Sequence, residues 1–281
     1  MREGKFQNVP VPLRLWIAGA STRLGQAGVS TPKFDAERIA AHVLGVSWSD
    51  LWKREPQVPL GEETMSRLDA ALARRANGEP LAYIEGSRGF YGLELECGPG
   101  VLVPRPETEI LVGVSLELIE GIDAPIVVDL GTGSGAIALA IASQRPDAEV
   151  IATDISEEAL AFARRNAAKC GLDVWIASGD LFDAVPTQVR GRVDLIVANP
   201  PYVPEGAGLA PDVHAEPPVA VFSGDIGNDV LERIVEAAPT WLRPGGALAL
   251  EFGAPYQVDV LEGAVVRNDL TDKPRVIWRR F

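Results

Sequence analysis

Ile126-Val127-Val128-Asp129-Leu130-Gly131-Thr132-Gly133-Ser134-Gly135 joins an apolar run to a glycine-rich loop, and the helical run Ala136 to Ser143 follows it directly. A buried strand, a glycine loop and a helix in that order open a doubly wound α/β sheet, in which ligands sit at the carboxyl ends of the strands. The chain beyond keeps the alternation. A second strand from Glu149 to Thr153 ends in Asp154, where a carboxylate can accept both hydroxyls of a ribose. A helix from Ser156 to Cys170 is closed by Gly171, and a third strand, Val174 to Ala177, leads to Asp180 and Leu181. A fourth strand runs from Val193 to Ala198. This spacing predicts a mostly parallel sheet.

The glycine loop does not name its ligand. It departs from GxGxxG because the third glycine is Gly135 and Ala136 follows, which disfavours a nicotinamide dehydrogenase without removing it. The fourth strand separates the readings, because it ends in Asn199-Pro200-Pro201-Tyr202. Two prolines supply no N–H donors and fix two φ angles, so the chain leaves the sheet rigidly with carbonyls free to accept hydrogen bonds. Asn199 adds a side-chain acceptor and Tyr202 a flat ring. Read alone, the four residues are either a Pro-rich turn or a site for an amino group. Beside a donor loop they suit placing an amino nitrogen next to a methyl donor, for which hydride transfer has no use.

Ahead of the sheet, residues 13–77 read as a small helical bundle. Ser30-Thr31-Pro32 starts a helix whose Phe34, Ile39, Ala40, Val43 and Leu44 form a buried stripe, with Gly45 as the stop. Another helix spans Leu60 to Ala76, with Met65, Leu68, Leu72 and Ala76 at core spacing. From Gly78 to Pro106, glycines punctuate short runs such as Phe90-Tyr91 and Val101-Leu102-Val103, which predicts a β-hairpin linker. Arg105, held between Pro104 and Pro106, is a candidate functional guanidinium, and a helix follows from Thr108 to Ile119. The expected division is a helical domain over 1–84, a linker over 85–106 and a catalytic α/β domain over 107–281.

The net charge of -13 is uneven: residues 1–80 carry 11 basic and 9 acidic side chains, residues 81–281 carry 15 and 30. An acidic catalytic region repels phosphate backbones, which weighs against direct nucleic-acid binding and favours a basic protein partner. Cys97 and Cys170 form no CxxC, and His42 and His214 are isolated, so neither a disulfide framework nor a metal site is expected. Arg14 and Pro12 interrupt any leader-like apolar core, and no stretch of about 18 apolar residues offers a membrane span. The expectation is a cytoplasmic monomer.

Asp129 to Gly135 resembles the first motif of class I S-adenosylmethionine-dependent methyltransferases, and Asn199 to Tyr202 resembles that of their amino-group-modifying branch. The second motif is shared with enzymes acting on exocyclic amino groups of nucleic-acid bases. The narrower match lies upstream: Glu79-Pro80-Leu81-Ala82-Tyr83-Ile84, Phe90-Tyr91-Gly92-Leu93 and Val103-Pro104-Arg105-Pro106-Glu107-Thr108-Glu109 are similar to the bacterial peptide chain release factor N5-glutamine methyltransferase family. The resemblance implies methyl transfer from S-adenosylmethionine, leaving S-adenosylhomocysteine, to the glutamine amide of the Gly-Gly-Gln motif in class 1 release factors. The alternative is a nucleic-acid amino group or a glutamine of another translation protein.

By position, the resemblance puts Gly131, Thr132, Gly133, Ser134 and Gly135 around the donor's methionyl and ribose parts and Asp154 on the ribose hydroxyls. Asp180 and Leu181 border the adenine. Asn199 stands between donor and acceptor, with Pro200, Pro201, Tyr202 and Arg105 toward the acceptor. The family often carries a tryptophan where Leu181 stands. Glu216-Pro217 and Ser223-Gly224-Asp225 resemble a later segment. From Gln257 to Asp269 the chain is shorter than the helix and strand usual there, so an edge element is expected to be truncated or missing.

Overall fold

The computed structural model of the protein describes residues 12–53 and 60–281; residues 54–59 of the expected helical stretch and residues 1–11 lie outside the described residues. The chain divides after Glu85 into two compact units.

The first unit contains α1 (Leu13–Gln26), α2 (Pro32–Leu44), α3 (Glu62–Ala76) and the short α4 (Leu81–Glu85). Leu13, Trp16, Ile17 and Leu24 of α1 recur at helical spacing and bury against Ile39 and Ala40 of α2 and Leu68 and Leu72 of α3. Pro32 starts α2, where a missing N–H costs nothing, and Gly45 ends it at φ 65°. One residue of the expected stripe faces outward: Phe34 is 40% exposed and meets Trp48 edge-on, ring centroids 5.6 Å apart. Inside the bundle Arg75 donates to Asp35 at 2.7 Å and to the Glu79 carbonyl at 3.0 Å, while the Thr31 hydroxyl donates to Asp35 at 2.7 Å. The buried charges are therefore paired and hydrogen-bonded, the condition for carrying them in a core.

The second unit opens with a hairpin of β1 (Ser87–Phe90) and β2 (Leu93–Glu96). Tyr91 and Gly92 turn it at φ 47° and 80°, the positive pair that a tight two-residue turn requires. The hairpin is shorter than expected. Leu81–Glu85 is helical, and Val101-Leu102-Val103 is a buried loop rather than a strand. Pro104 and Pro106 cannot donate to a ladder beyond it, and the Val103 N–H goes instead to Glu216 at 2.9 Å.

There follow α5 (Thr108–Leu118), β3 (Ile126–Leu130), α6 (Ala136–Gln144), β4 (Glu149–Asp154), α7 (Glu157–Cys170), β5 (Trp175–Ser178) and β6 (Val193–Ala198). The chain continues through α8 (Pro211–His214), α9 (Pro218–Val221), α10 (Asp229–Ala237), β7 (Leu242–Glu251), β8 (Val265–Asn268) and β9 (Pro274–Arg280). Among the described residues the main sheet runs β5-β4-β3-β6-β7-β9-β8, with β5 through β7 parallel and β9 antiparallel to both neighbours. This is the expected doubly wound, mostly parallel sheet. β3 and β6 are buried at every residue, as strands covered on both faces must be.

The C-terminal expectation needs correction. The edge strand is present as β8, and only the helix before it is reduced, to a 3₁₀ segment over Pro255–Val260. Gln257 explains how so short a segment suffices. Fully buried, it accepts from the N–H groups of Gly253 and Ala254 and donates to the carbonyls of Tyr202 and Gly227, all at 2.9–3.0 Å.

Candidate active site

Register brings the site together. Leu130 pairs with Thr153 on one side and with Ala198 on the other, so the next residues, Gly131, Asp154 and Asn199, leave three adjacent strands at one level. Neighbouring strands lie about 4.8 Å apart, so the three groups reach one ligand-sized space. It lies where the strand order reverses, at the carboxyl edge of the sheet.

The space is a cavity of about 230 Å³. Gly131, Thr132, Gly133, Ser134, Asp154, Asp180, Leu181, Asn199, Pro201 and Arg105 line it; Gly135, Pro200 and Tyr202 do not. Gly135 has a packing duty, since a Cβ there would come within 3.1 Å of Leu139 and 3.4 Å of the Ala163 backbone. The Pro200 ring is buried, between two residues that line the cavity. Tyr202 directs its hydroxyl to Glu251 Oε1, 3.2 Å away.

Asp129 holds the glycine loop from beneath. Fully buried, it accepts from the Thr132 hydroxyl at 2.7 Å and from the Ala138 N–H at 3.1 Å, which ties the loop to the start of α6. Desolvation pushes its carboxyl up to about 7 against the pull of those two donors. Asp154 accepts from the N–H groups of Gly133 at 2.8 Å and Ser156 at 2.9 Å. Burial raises its pKa too, while these backbone donors favour the charged form. Each oxygen retains a lone pair for a hydroxyl donor.

Asp180 is paired with Arg233 of α10 at 2.7 Å. Leu181 adopts φ 52°, an unusual conformation for a branched side chain, and its carbonyl accepts from the Thr153 hydroxyl at 3.1 Å. Arg105 pairs with Glu216, which also receives the Val103 N–H, so the Pro-Arg-Pro segment is pinned to the cavity wall. Asn199 donates from Nδ2 to Thr108 Oγ1 at 3.2 Å, leaving Oδ1 as its free acceptor.

Sequence reading passed over three residues that frame this corner. Thr108 lines the cavity, Glu251 ends β7 with 1% of its surface exposed, and Gln257 pins the Tyr202 backbone. The available signal for Glu251 was an acidic residue closing the apolar run Ala247 to Leu250. A donor with a sulfonium, an amino acid and a nucleoside fits the residues present: an open backbone cradle at Gly131, a half-buried carboxylate, Asp154, at the end of β4, and apolar walls from Val101, Leu181 and Val219.

Known proteins resemble this chain over most of its length. Family models for the PrmC N-terminal domain and the methyltransferase small domain match residues 16–86 and 115–257. Release factor glutamine methyltransferase of Mycolicibacterium smegmatis is 41% identical over 94% of this chain and 96% of its own. That of Deinococcus radiodurans is 39% identical over 95% and 98%, and that of Streptomyces coelicolor is 42% identical over 94% and 96%. Among solved structures, the hMettl16 catalytic domain in complex with an RNA hairpin superposes with TM-score 0.54 at 14% identity, covering 74% of this chain and 81% of that one. A T. thermophilus 16S rRNA N2 methyltransferase in complex with AdoMet and guanosine gives 0.52 at 23% identity, covering 69% and 49%. At such identities these two likenesses concern the fold alone.

Proposed function

The chain belongs to the release factor glutamine methyltransferase family, and from that premise we propose that it methylates the side-chain nitrogen, N5, of the glutamine in the Gly-Gly-Gln motif of class 1 peptide chain release factors, with S-adenosylmethionine as donor. One observation carries the assignment of the site: Gly131, Asp154 and Asn199 leave three adjacent strands into one cavity.

When bound, S-adenosylmethionine supplies a methyl group activated by a sulfonium. Gly131 to Ser134 present the backbone that cradles it, Gly135 keeps that loop against its helix, and Asp154 accepts the ribose hydroxyls. Asp180 and Leu181 border the adenine. Asn199 Oδ1 and the Pro200 carbonyl each accept one N–H of the glutamine amide, turning the nitrogen lone pair toward the methyl. This matters because an amide lone pair is delocalised and attacks poorly. Pro201 stiffens the corner, Tyr202 supports it on the acceptor side, and Arg105 borders the acceptor channel. Catalysis then comes mainly from placement, an effect that can supply about 7 to 11 kcal/mol. The acceptor nitrogen gains a methyl and gives up one proton, which leaves to solvent.

The N-terminal bundle contains none of the site residues and is assigned to holding the release factor at a distance from its glutamine. The test of the whole reading is labelled S-adenosylmethionine with an intact class 1 release factor and with a Gln→Ala version of its Gly-Gly-Gln. Label is expected on the intact factor only; equal labelling of both overturns the substrate.

A further inference from the structure

The two ends of the Asn199 amide are not interchangeable, and Asn199 alone does not decide which end faces the acceptor. Oδ1 accepts an N–H; Nδ2 would confront the substrate's own donors and repel them. The neighbour that can decide is Thr108, whose Oγ1 lies 3.2 Å from Asn199 Nδ2 and which is 4% exposed. A hydroxyl has one proton and two lone pairs, so Thr108 can accept from Nδ2 or, with the amide turned over, donate to Oδ1.

What can commit the Thr108 proton is Glu251, since α5, which Thr108 begins, packs against β7, which Glu251 ends. Glu251 is 1% exposed at the carboxyl end of β7, and the hydroxyls of Thr108 and Tyr202 both favour its charged form. Tyr202 donates to Oε1 at 3.2 Å, and Oε2, buried without a hydrogen-bond partner in the structure, is the acceptor left open to a turn of the Thr108 hydroxyl. A carboxylate only accepts, so a charged Glu251 draws the Thr108 proton and leaves Thr108 a lone pair for Nδ2. Once protonated, Glu251 can donate to Thr108, which is then free to hold the wrong end of Asn199.

Resting on the reading in which Asn199 accepts an N–H of the glutamine amide, we propose that Thr108 and Glu251 are positioning residues for methyl transfer: the Glu251 carboxylate sets the direction of the Thr108 hydroxyl, which turns Asn199 Oδ1 toward the acceptor. Burial pushes the Glu251 carboxyl up to about 7, so the device works within the ordinary range of pH. The groups around it divide. Arg275 of β9, itself paired with Asp269 at 3.1 Å, favours the carboxylate, and Glu107 beside the start of α5 opposes it. The Tyr202 phenol is held up by burial and by Glu251, so it stays a proton donor, while Arg105 and Arg275 pull it down.

The experiment is methylation of an intact release factor by the full chain between pH 6 and 9, comparing wild type, Thr108→Val, Thr108→Ser and Glu251→Gln, with donor affinity from calorimetry. Thr108→Val should lower kcat about 10- to 100-fold, the scale of a misplaced reacting group, with donor affinity unchanged. Thr108→Ser, which restores the hydroxyl, should recover most of the loss. Wild-type kcat should fall as pH drops through about 7, and Glu251→Gln should be slower and should lack that fall. Wild-type kcat in Thr108→Val, equal losses in Val and Ser, or an unaltered acid limb in Glu251→Gln each overturn the relay. A wild-type chain that methylates no release factor removes instead the functional reading beneath it.

Discussion

Asn199 and Asp154 stand two strands apart at the same level, yet their substitutions should separate cleanly. Asn199→Ala removes an acceptor directed at the glutamine nitrogen and leaves the donor cradle whole. Turnover should fall by at least about 100-fold, as for loss of an oriented group at a reacting centre, with S-adenosylmethionine affinity by calorimetry nearly unchanged. Asp154→Ala should do the reverse, weakening donor binding first. Its carboxylate also holds the Gly133 N–H at 2.8 Å, so the loop loses an anchor together with a ribose acceptor. Equal loss of binding and turnover in both variants would mean that the two roles are not divided in this way.

At the scale of elements, the loop after β6 is held because two other segments clamp it, one at Gly227 and one from Gly253 to Gln257. Gln257 holds the Tyr202 carbonyl at 3.0 Å, and a Cβ on Gly227 would come within 2.2 Å of that same oxygen. A Cβ on Gly253 would lie 2.6 Å from the Tyr202 ring, closer than any side chain tolerates. Gly253→Ala should therefore displace the ring from Glu251, destabilising the unit by about 1 to 3 kcal/mol in thermal unfolding, the usual cost of overpacking. Methylation should fall beyond what that loss of folded protein explains. A variant with wild-type melting and turnover would show the clamp to be slack. The N-terminal bundle invites a separate test, because Phe34, Trp48 and Trp52 are each at least 40% exposed there. If the bundle holds the release factor, Trp48→Ala should raise KM for the whole factor while leaving turnover of a free glutamine peptide unchanged; parallel losses on both substrates would contradict the assignment.

For the whole molecule, pH and stability are linked through buried carboxyls. Burial pushes Asp129 and Glu251 up to about 7, and it raises Glu216 and Asp154 as well. In the unfolded chain carboxyls titrate near 4, so between about pH 4 and 7 the folded state binds more protons. Stability from Asp129 and Glu251 is full below that window and is lost as pH rises through it, and Glu216 and Asp154 act in the same direction. The melting temperature should accordingly rise from pH 8 to pH 6, and Glu251→Gln should flatten the rise. Asp147 and Asp269 act oppositely, since Arg145 and Thr271 respectively hold them well below the usual range. Their contribution disappears only in stronger acid, which caps the gain. A melting temperature that falls from pH 8 to 6 would refute this balance.

Local sequence determined much of this protein. Val127 and Val128 ahead of a glycine loop, Asp154 closing a second strand and Asn199-Pro200-Pro201-Tyr202 closing a fourth were legible because strands, loops and proline corners follow from nearby residues. Gly135 was legible as part of the loop, but its duty against Leu139 and Ala163 was not. Thr108, Glu251 and Gln257 lie 91, 52 and 58 residues from Asn199 in the numbering, and nothing local marks them as its supports. Tertiary structure alone decided that Asn199 Nδ2 meets Thr108 and that Tyr202 meets the buried Glu251. Hydrogen-bond direction at a buried site depends on which donors and acceptors the packing of distant strands brings within about 3 Å, and sequence spacing does not encode that.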